Sequence, residues 1–229
     1  MKRTKKEMII SNSKNLVAND ILDTDGYTIK INEPISEWFD WASGVKAPVF
    51  CNCRKLVSYP HIRDRIVDSF IGIIKENFPD VEAIGTVAVA GIPWGSFVAQ
   101  KLNLPLVYVR REKKDYGIKV IVEGCLKESK KIVFIDDAVV SGDSLKKAID
   151  NLFAETPNSS LLGIASIVNW NTHMMWKNFA CFKVATLCDY HSVVKALHER
   201  EMISASFMKM LLAFYSDPFN FNWEDSEAC

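Results

Sequence analysis

Two adjacent carboxylates, Asp136 and Asp137, close the apolar run Val133-Phe134-Ile135, and a short stretch of small residues, Ser141-Gly142-Asp143-Ser144, follows them. Paired carboxylates can accept hydrogen bonds from ribose hydroxyls. A small-residue loop turning into a helix offers its backbone N–H groups to a phosphate. A second cluster, Arg110, Arg111, Lys113 and Lys114, fills four of five positions after another apolar strand. Cations at a strand's carboxyl end suit a polyanion such as pyrophosphate. Further upstream, Gly91 and Gly95 in "VAVAGIPWGS" sit just past a third strand, where backbone has to approach a neighbour closely. A generic helix cap and a solvated charged face are the alternatives, and the latter does not account for the position of the cations.

Three nucleotide chemistries share an apolar strand that ends in acid. A Walker B strand requires a partner GxxxxGK[ST], which is absent, and a dinucleotide fingerprint requires GxGxxG after a strand, also absent. A ribose-phosphate site is the third, and the residues above are compatible with it. The six cysteines (Cys51, Cys53, Cys125, Cys181, Cys188, Cys229) contain no CxxC pair, and His61, His173, His191 and His198 show no ligand spacing. No metal site is expected from side chains alone, and the thiols read as buried or idle in a reducing cytoplasm.

The elements that must position these groups alternate. Glu82–Gly91, the run from Pro105, Lys130–Asp137, "LLGIASIVNW" and "FKVATLCDY" read as strands, with helices after the first and at about Ser144 to Ala154. Tyr59 to Asn77 places Ile62, Ile66, Phe70, Ile73 and Ile74 at helical spacing. This alternation predicts an α/β fold, a mostly parallel central sheet flanked by helices. "YTIKI" reads as a strand and Ser36 to Ser43 as a short aromatic helix. The apolar, Met- and Phe-rich C-terminal stretch reads as a core or interface helix, and thus a possible docking surface for a protein partner.

With 229 residues, 48% hydrophobic and 24% charged, the chain suits one domain with a sizeable core. We divide it into an N-terminal tail and hood (1–58), a core (59–200) and an extension (201–229). Zero net charge gives no global drive towards nucleic acid or membranes. The basic "MKRTKKEMII" reads as a solvated tail, no signal-type or spanning segment follows it, and a cytoplasmic location is expected.

Three segments resemble the type I phosphoribosyltransferases, and the orotate phosphoribosyltransferases in particular, over about residues 37 to 200. "FDWASGVKAPVFCNCRKLVSYP" is similar to the family's N-terminal segment. "AVAGIPWGSFVAQKLNLPLVYVRREKKDYGIKVIVEG" resembles its pyrophosphate loop, following helix and catalytic loop, and "VFIDDAVVSGDS" stands at its phosphoribosyl pyrophosphate (PRPP) motif. The resemblance implies a type I phosphoribosyltransferase fold with a small N-terminal hood and an apolar C-terminal helix. Asp136 and Asp137 would hold the ribose hydroxyls. Ala138 and Val139 would continue the motif, and Val140, Ser141, Gly142, Asp143 and Ser144 would wrap the 5-phosphate. Ala88, Val89, Ala90 and Gly91 would form the pyrophosphate loop. Arg110, Arg111 and Lys114 would grip pyrophosphate, with Arg111, Lys114 and the two acids as the catalytic set. Mg²⁺ would be held mainly through PRPP, and a homodimer is implied because the cationic loop commonly reaches the neighbouring subunit.

The chain departs from that pattern at the base. Ala42 stands where the family has a lysine and Trp170 where it has an arginine, so Ala42, Phe50 and Trp170 are the candidate base-facing positions. A carboxylated base needs cationic or N–H donors, whereas Trp170 would offer a stacking face. Val140 and Asp143 also make the phosphate loop unusual: Asp143 either points outward as a helix N-terminal acid or repels the phosphate. The expected function is PRPP-dependent transfer of phosphoribose between pyrophosphate and a base. The alternative is a diverged PRPP- or nucleotide-binding sensor or effector subunit, for example in a bacterial defence system.

Overall fold

Val133 and Ile135 enter one hydrophobic layer and Ile132 and Phe134 the other, so their strand is covered on both faces. A computed structural model describes residues 5–41, 44–110, 120–126, 128 and 130–223, with the backbone alone over 5–13. Of the expected site residues, Ala42, Arg111 and Lys114 lie outside those described.

The sheet is built from β5 (Ala83–Val87), β6 (Leu106–Val109), β7 (Val122–Glu123), β8 (Lys131–Val139), β9 (Ser160–Asn169) and β10 (Lys183–Asp189). Their spatial order is β10-β9-β8-β5-β6-β7. All neighbours run parallel except the edge strand β7, which is antiparallel to β6. The chain winds outward from β5 to β6, then returns to the other side of β5 with β8. The carboxyl ends of β5 and β8 therefore flank a topological switch point, where open α/β sheets leave a crevice.

One layer contains α2 (Pro60–Asn77), α3 (Gly91–Leu102), α6 (Tyr190–Glu199) and α7 (Ala205–Ser216); the other contains α4 (Asp143–Glu155) and α5 (His173–Phe179). Helix α2 buries Ile62, Ile66, Val67, Phe70 and Ile74, the face expected from its periodicity. Each such side chain contributes roughly 1.5–3 kcal/mol on burial. Asp189 caps α6 by accepting from Ser192 N at 2.9 Å, and Ser204 caps α7 by accepting from Phe207 N at 3.1 Å.

The N-terminal region differs from the sequence reading in two ways. Helix α1 (Lys5–Asp23) begins within the basic stretch read as a solvated tail and continues through residues 11–23, to which the sequence reading gave no element. Val17, Ala18, Ile21 and Leu22 are buried, and the buried Asp20 is ion-paired with Arg65 of α2. These apolar positions lie behind a charged start, which hid their helical spacing. Second, residues 36–41, the described part of the segment read as a helix, do not form an α-helix. A single 3₁₀ turn, Ile35–Glu37, precedes β2 (Phe39–Asp40), which pairs with β3 (Lys46–Ala47) through a turn closed by Gly44 at φ 82°. Aromatic side chains favour strands, and Phe39 packs on Phe50 with ring centroids 5.3 Å apart. Phe50 lies in β4 (Val49–Cys51), which is antiparallel to β1 (Tyr27–Ile29), the strand expected in "YTIKI". The β2–β3 hairpin, inserted between β1 and β4, and the β1–β4 pair form a small hood. The apolar C-terminal helix is used internally, with Phe207, Leu211 and Phe214 of α7 buried.

Candidate active site

The hydroxyl of Thr86, in β5, donates to the Ile135 carbonyl of β8 at 2.8 Å, locking the two switch-point strands together one residue before the acids. The chain after β5 turns at Ala88, Val89, Ala90 and Gly91. The Ala88–Val89 peptide is cis, Val89 is 79% exposed, and Ala88 N donates to Val109 O at 2.8 Å. A Cβ on Gly91 would lie 2.1 Å from Thr86 Oγ1, 3.0 Å from the Ile135 carbonyl and 3.3 Å from Asp136 Oδ1. This is the close approach that the glycine implied, and it brings the expected pyrophosphate loop against the first acid.

Beyond β8 the chain forms the loop Val140–Gly142 and enters α4. Gly142 has φ 79°, and a Cβ there would come within 2.6 Å of the Phe179 ring, so the turn requires glycine sterically as well as conformationally. Its carbonyl accepts the first helical bond from Lys146 N at 2.8 Å, and the N–H groups that open a helix favour negative charge at that end. The loop is braced from β9 and α5: Trp170 N donates to Val139 O at 2.9 Å, and Thr172 Oγ1 donates to Val140 O at 2.7 Å. The result is a crevice of about 170 Å³ lined by Trp41, Asp136, Ala138, Val139, Val140, Ser141, Gly142, Ser144 and Leu145.

The acids are unequal. Asp136 lines the crevice and accepts from Asp137 N at 3.0 Å. Asp137 is set back from it, with Cys53 and Arg54 of the turn Cys53–Ser58 as electrostatic neighbours. Burial raises its pKa above the usual carboxylate value, opposed by the Ala138 N–H at 2.9 Å and by the charge of Arg54. Asp143 is also absent from the lining. Its Oδ1 accepts from Asn178 Nδ2 at 2.8 Å, which corresponds to the outward orientation of the two considered.

The expected cationic grip is described only at Arg110. Its Nε donates to Glu123 Oε1 at 3.0 Å, which holds it against β7. At the base, Trp170 is 2% exposed. It stacks on Tyr190 at 4.1 Å and meets Trp41 edge-on at 4.4 Å. The stacking face anticipated for a substrate ring is therefore occupied by Tyr190. Phe50 packs on Phe39 and does not line the crevice. Trp41, which sequence reasoning passed over in favour of its neighbour Ala42, is the hood residue that reaches the crevice. Its signal was the aromatic run Trp38-Phe39-Asp40-Trp41, read there as a helix.

Among the described residues, no three His, Cys, Asp or Glu side chains are grouped to hold a metal, and no helix is long and apolar enough to cross a membrane.

A switch-point crevice with one carboxylate, a small-residue loop at a helix N-terminus and a second tight loop opposite defines a sugar-phosphate-binding α/β domain. Residues 61–198 match the family model described as the phosphoribosyl transferase domain, and the chain belongs to the type I phosphoribosyltransferases. It is 36% identical to the orotate phosphoribosyltransferase of Enterococcus faecalis over 89% of this chain and 95% of that one. Identity to the Porphyromonas gingivalis orotate phosphoribosyltransferase is 37%, with the same coverage. In fold it is similar to Leishmania donovani UMP synthase (TM-score 0.73, 21% identity, 90% of this chain and 43% of that longer one). It is also similar to the Aeropyrum pernix orotate phosphoribosyltransferase (TM-score 0.66, 19% identity, 80% and 99%). PRPP-dependent phosphoribosyl transfer, a pentosyltransferase reaction, is its activity class.

Proposed function

We propose that the chain transfers phosphoribose from PRPP to orotate with release of pyrophosphate, acting as a homodimer. The structural observation that supports it is the crevice joining Asp136 to the N-terminal turn of α4. Orotate as the base is supported by the curated relatives, which are named for that activity and match along 95% of their length. In this reading the 5-phosphate sits on the N–H groups of the Val140–Ser144 loop. Asp136 accepts a ribose hydroxyl, and Asp137 orients Asp136 from behind. Ala88–Gly91 and the cationic segment from Arg110 onward, with Arg111 and Lys114, take the pyrophosphate.

Displacement at the anomeric carbon passes through an oxocarbenium-like state while charge builds on the leaving group, so positioned N–H groups and cations lower the barrier by preorganisation. Carboxylate and phosphate oxygens suit Mg²⁺. With Asp136 as the one acid among the described residues lining the crevice, the ion's ligands would come mainly from PRPP, and when bound it would neutralise pyrophosphate charge.

A second reading, binding without transfer to orotate, draws on the aromatic wall. None of the described residues lining the crevice is cationic, and Trp170 is stacked on Tyr190. Loss of orotate absorbance on incubation with Mg²⁺–PRPP, abolished by Asp136→Asn, would support transfer. Calorimetric binding of Mg²⁺–PRPP with orotate left intact would support the sensor reading instead. Sedimentation velocity tests the dimer.

A further inference from the structure

Cys51 ends β4 and Cys53 opens the turn Cys53–Ser58, with only Asn52 between them, and the change of chain direction brings their Sγ atoms to 3.6 Å. Cys51 is half-buried and Cys53 is buried, so a small reagent meets Cys51 first. The hydrogen bond with Cys51, burial and the nearby Asp137 and Cys188 raise the Cys53 thiol well above its usual pKa, so Cys53 serves as the resolving thiol and Cys51 as the first to attack. The next residue, Arg54, places its charge beside Asp137 and donates through Nε to Asn52 Oδ1 at 3.0 Å. The two thiols therefore stand at the start of a short turn that packs against β8, the strand of the set-back acid.

We propose that Cys51 and Cys53 are an oxidisable pair that closes to an intramolecular disulfide with a small-molecule disulfide such as oxidised glutathione, and that closure weakens PRPP binding. The effect on PRPP rests on the proposed role of Asp137; the disulfide itself does not. In the first step the Cys51 thiolate attacks the oxidant, forming a mixed disulfide and releasing one glutathione thiolate. In the second the Cys53 thiolate attacks Cys51 Sγ and expels the other. The protein gives up two electrons and two protons, and the oxidant becomes two thiols. A disulfide needs its sulfurs about 2.05 Å apart, so closure draws the start of the turn towards β4. That turn packs against β8, the strand that carries Asp136 and Asp137, so the shift reaches the crevice.

The test uses the full chain carrying Cys125→Ser, Cys181→Ser and Cys229→Ser, reduced, treated with oxidised glutathione and freed of it. Intact mass and alkylation mapping report the thiols, and calorimetry with Mg²⁺–PRPP reports the site. The expected result is loss of two hydrogen atoms, protection of Cys51 and Cys53 from alkylation, and PRPP affinity reduced by about tenfold, all reversed by dithiothreitol. Adding Cys53→Ser should leave one glutathione on Cys51, while Cys188→Ser should respond like its parent. Free Cys51 and Cys53 after treatment, or pairing of either with Cys188, would overturn the proposal. A disulfide with unchanged PRPP affinity, or equal loss in a Cys51→Ser/Cys53→Ser protein, would overturn its second half. If the reduced protein binds no PRPP, the function reading fails, and the mass measurement still decides the disulfide.

Discussion

Asn178 Nδ2 donates to Asp143 Oδ1 at 2.8 Å and to the Ser141 carbonyl at 3.0 Å, so one amide on α5 ties the loop before α4 to the first residue of that helix. An acid beside a phosphate dianion would repel it. Here the carboxylate stays in the first turn of α4, where negative charge is favourable, but is turned out of the crevice.

Asn178→Ala should therefore release Asp143 and weaken PRPP binding by about two- to five-fold, the scale of one partly exposed charge interaction. Adding Asp143→Gly should restore it. Calorimetry on the two proteins decides this, and equal affinity for wild type and Asn178→Ala would show that the bridge does not matter.

Asp137 carries a pH signature. Its folded-state pKa is raised by burial, so the folded chain holds that proton more tightly than the unfolded one. The resulting stability is fully present below the unfolded carboxylate value and is lost as pH rises through the folded pKa. Asp137→Asn should thus melt higher than wild type at neutral pH, with the difference closing as the pH falls into the carboxylate range. Thermal unfolding across that window measures it, and a lower melting temperature at pH 7 would refute it.

Gly91→Ala should destabilise by roughly 1–3 kcal/mol, the cost of overpacking, because its Cβ would stand 2.1 Å from Thr86 Oγ1. Thr86→Ala alone loses the hydroxyl bond to Ile135, yet in the double variant it also makes room. The cycle should show a favourable coupling between the two sites, read from denaturant midpoints. Simple additivity would place the clash elsewhere.

Trp41 is 9% exposed, donates through Nε1 to Val49 O at 3.2 Å and forms one wall of the crevice. Trp41→Ala should cost about 3–5 kcal/mol and raise the KM for PRPP. Trp41→Phe should keep most of the stability while showing whether the larger ring is what the substrate meets. Unchanged KM in both proteins would remove Trp41 from the site.

Much of the frame was legible in advance because its causes are local. A three-residue apolar run ending in acid, a glycine before a helix, and Ile62, Ile66 and Phe70 at helical spacing each owe their structure to neighbours a few positions away. Strand β8, helices α2 and α4 and the small-residue loop between β8 and α4 all appear where those patterns put them. Helix α1 and the β2–β3 hairpin did not. The apolar stripe of α1 follows a charged start, and the rings of the hairpin find their partners across the hood.

By itself, the sequence determined the alternation that makes a parallel sheet, the acidic strand end and the small-residue loop. It also determined the family resemblance those motifs carry. Only the tertiary structure decided which groups meet. Asn178 lies 35 positions from Asp143, Tyr190 20 from Trp170, and Trp41 approaches the Asp136 loop from the hood. The reason is physical: periodicity and turn chemistry act over a few residues, whereas strand order and packing bring together groups that no local pattern relates. The outward turn of Asp143 and the stacked face of Trp170 both arise at that level.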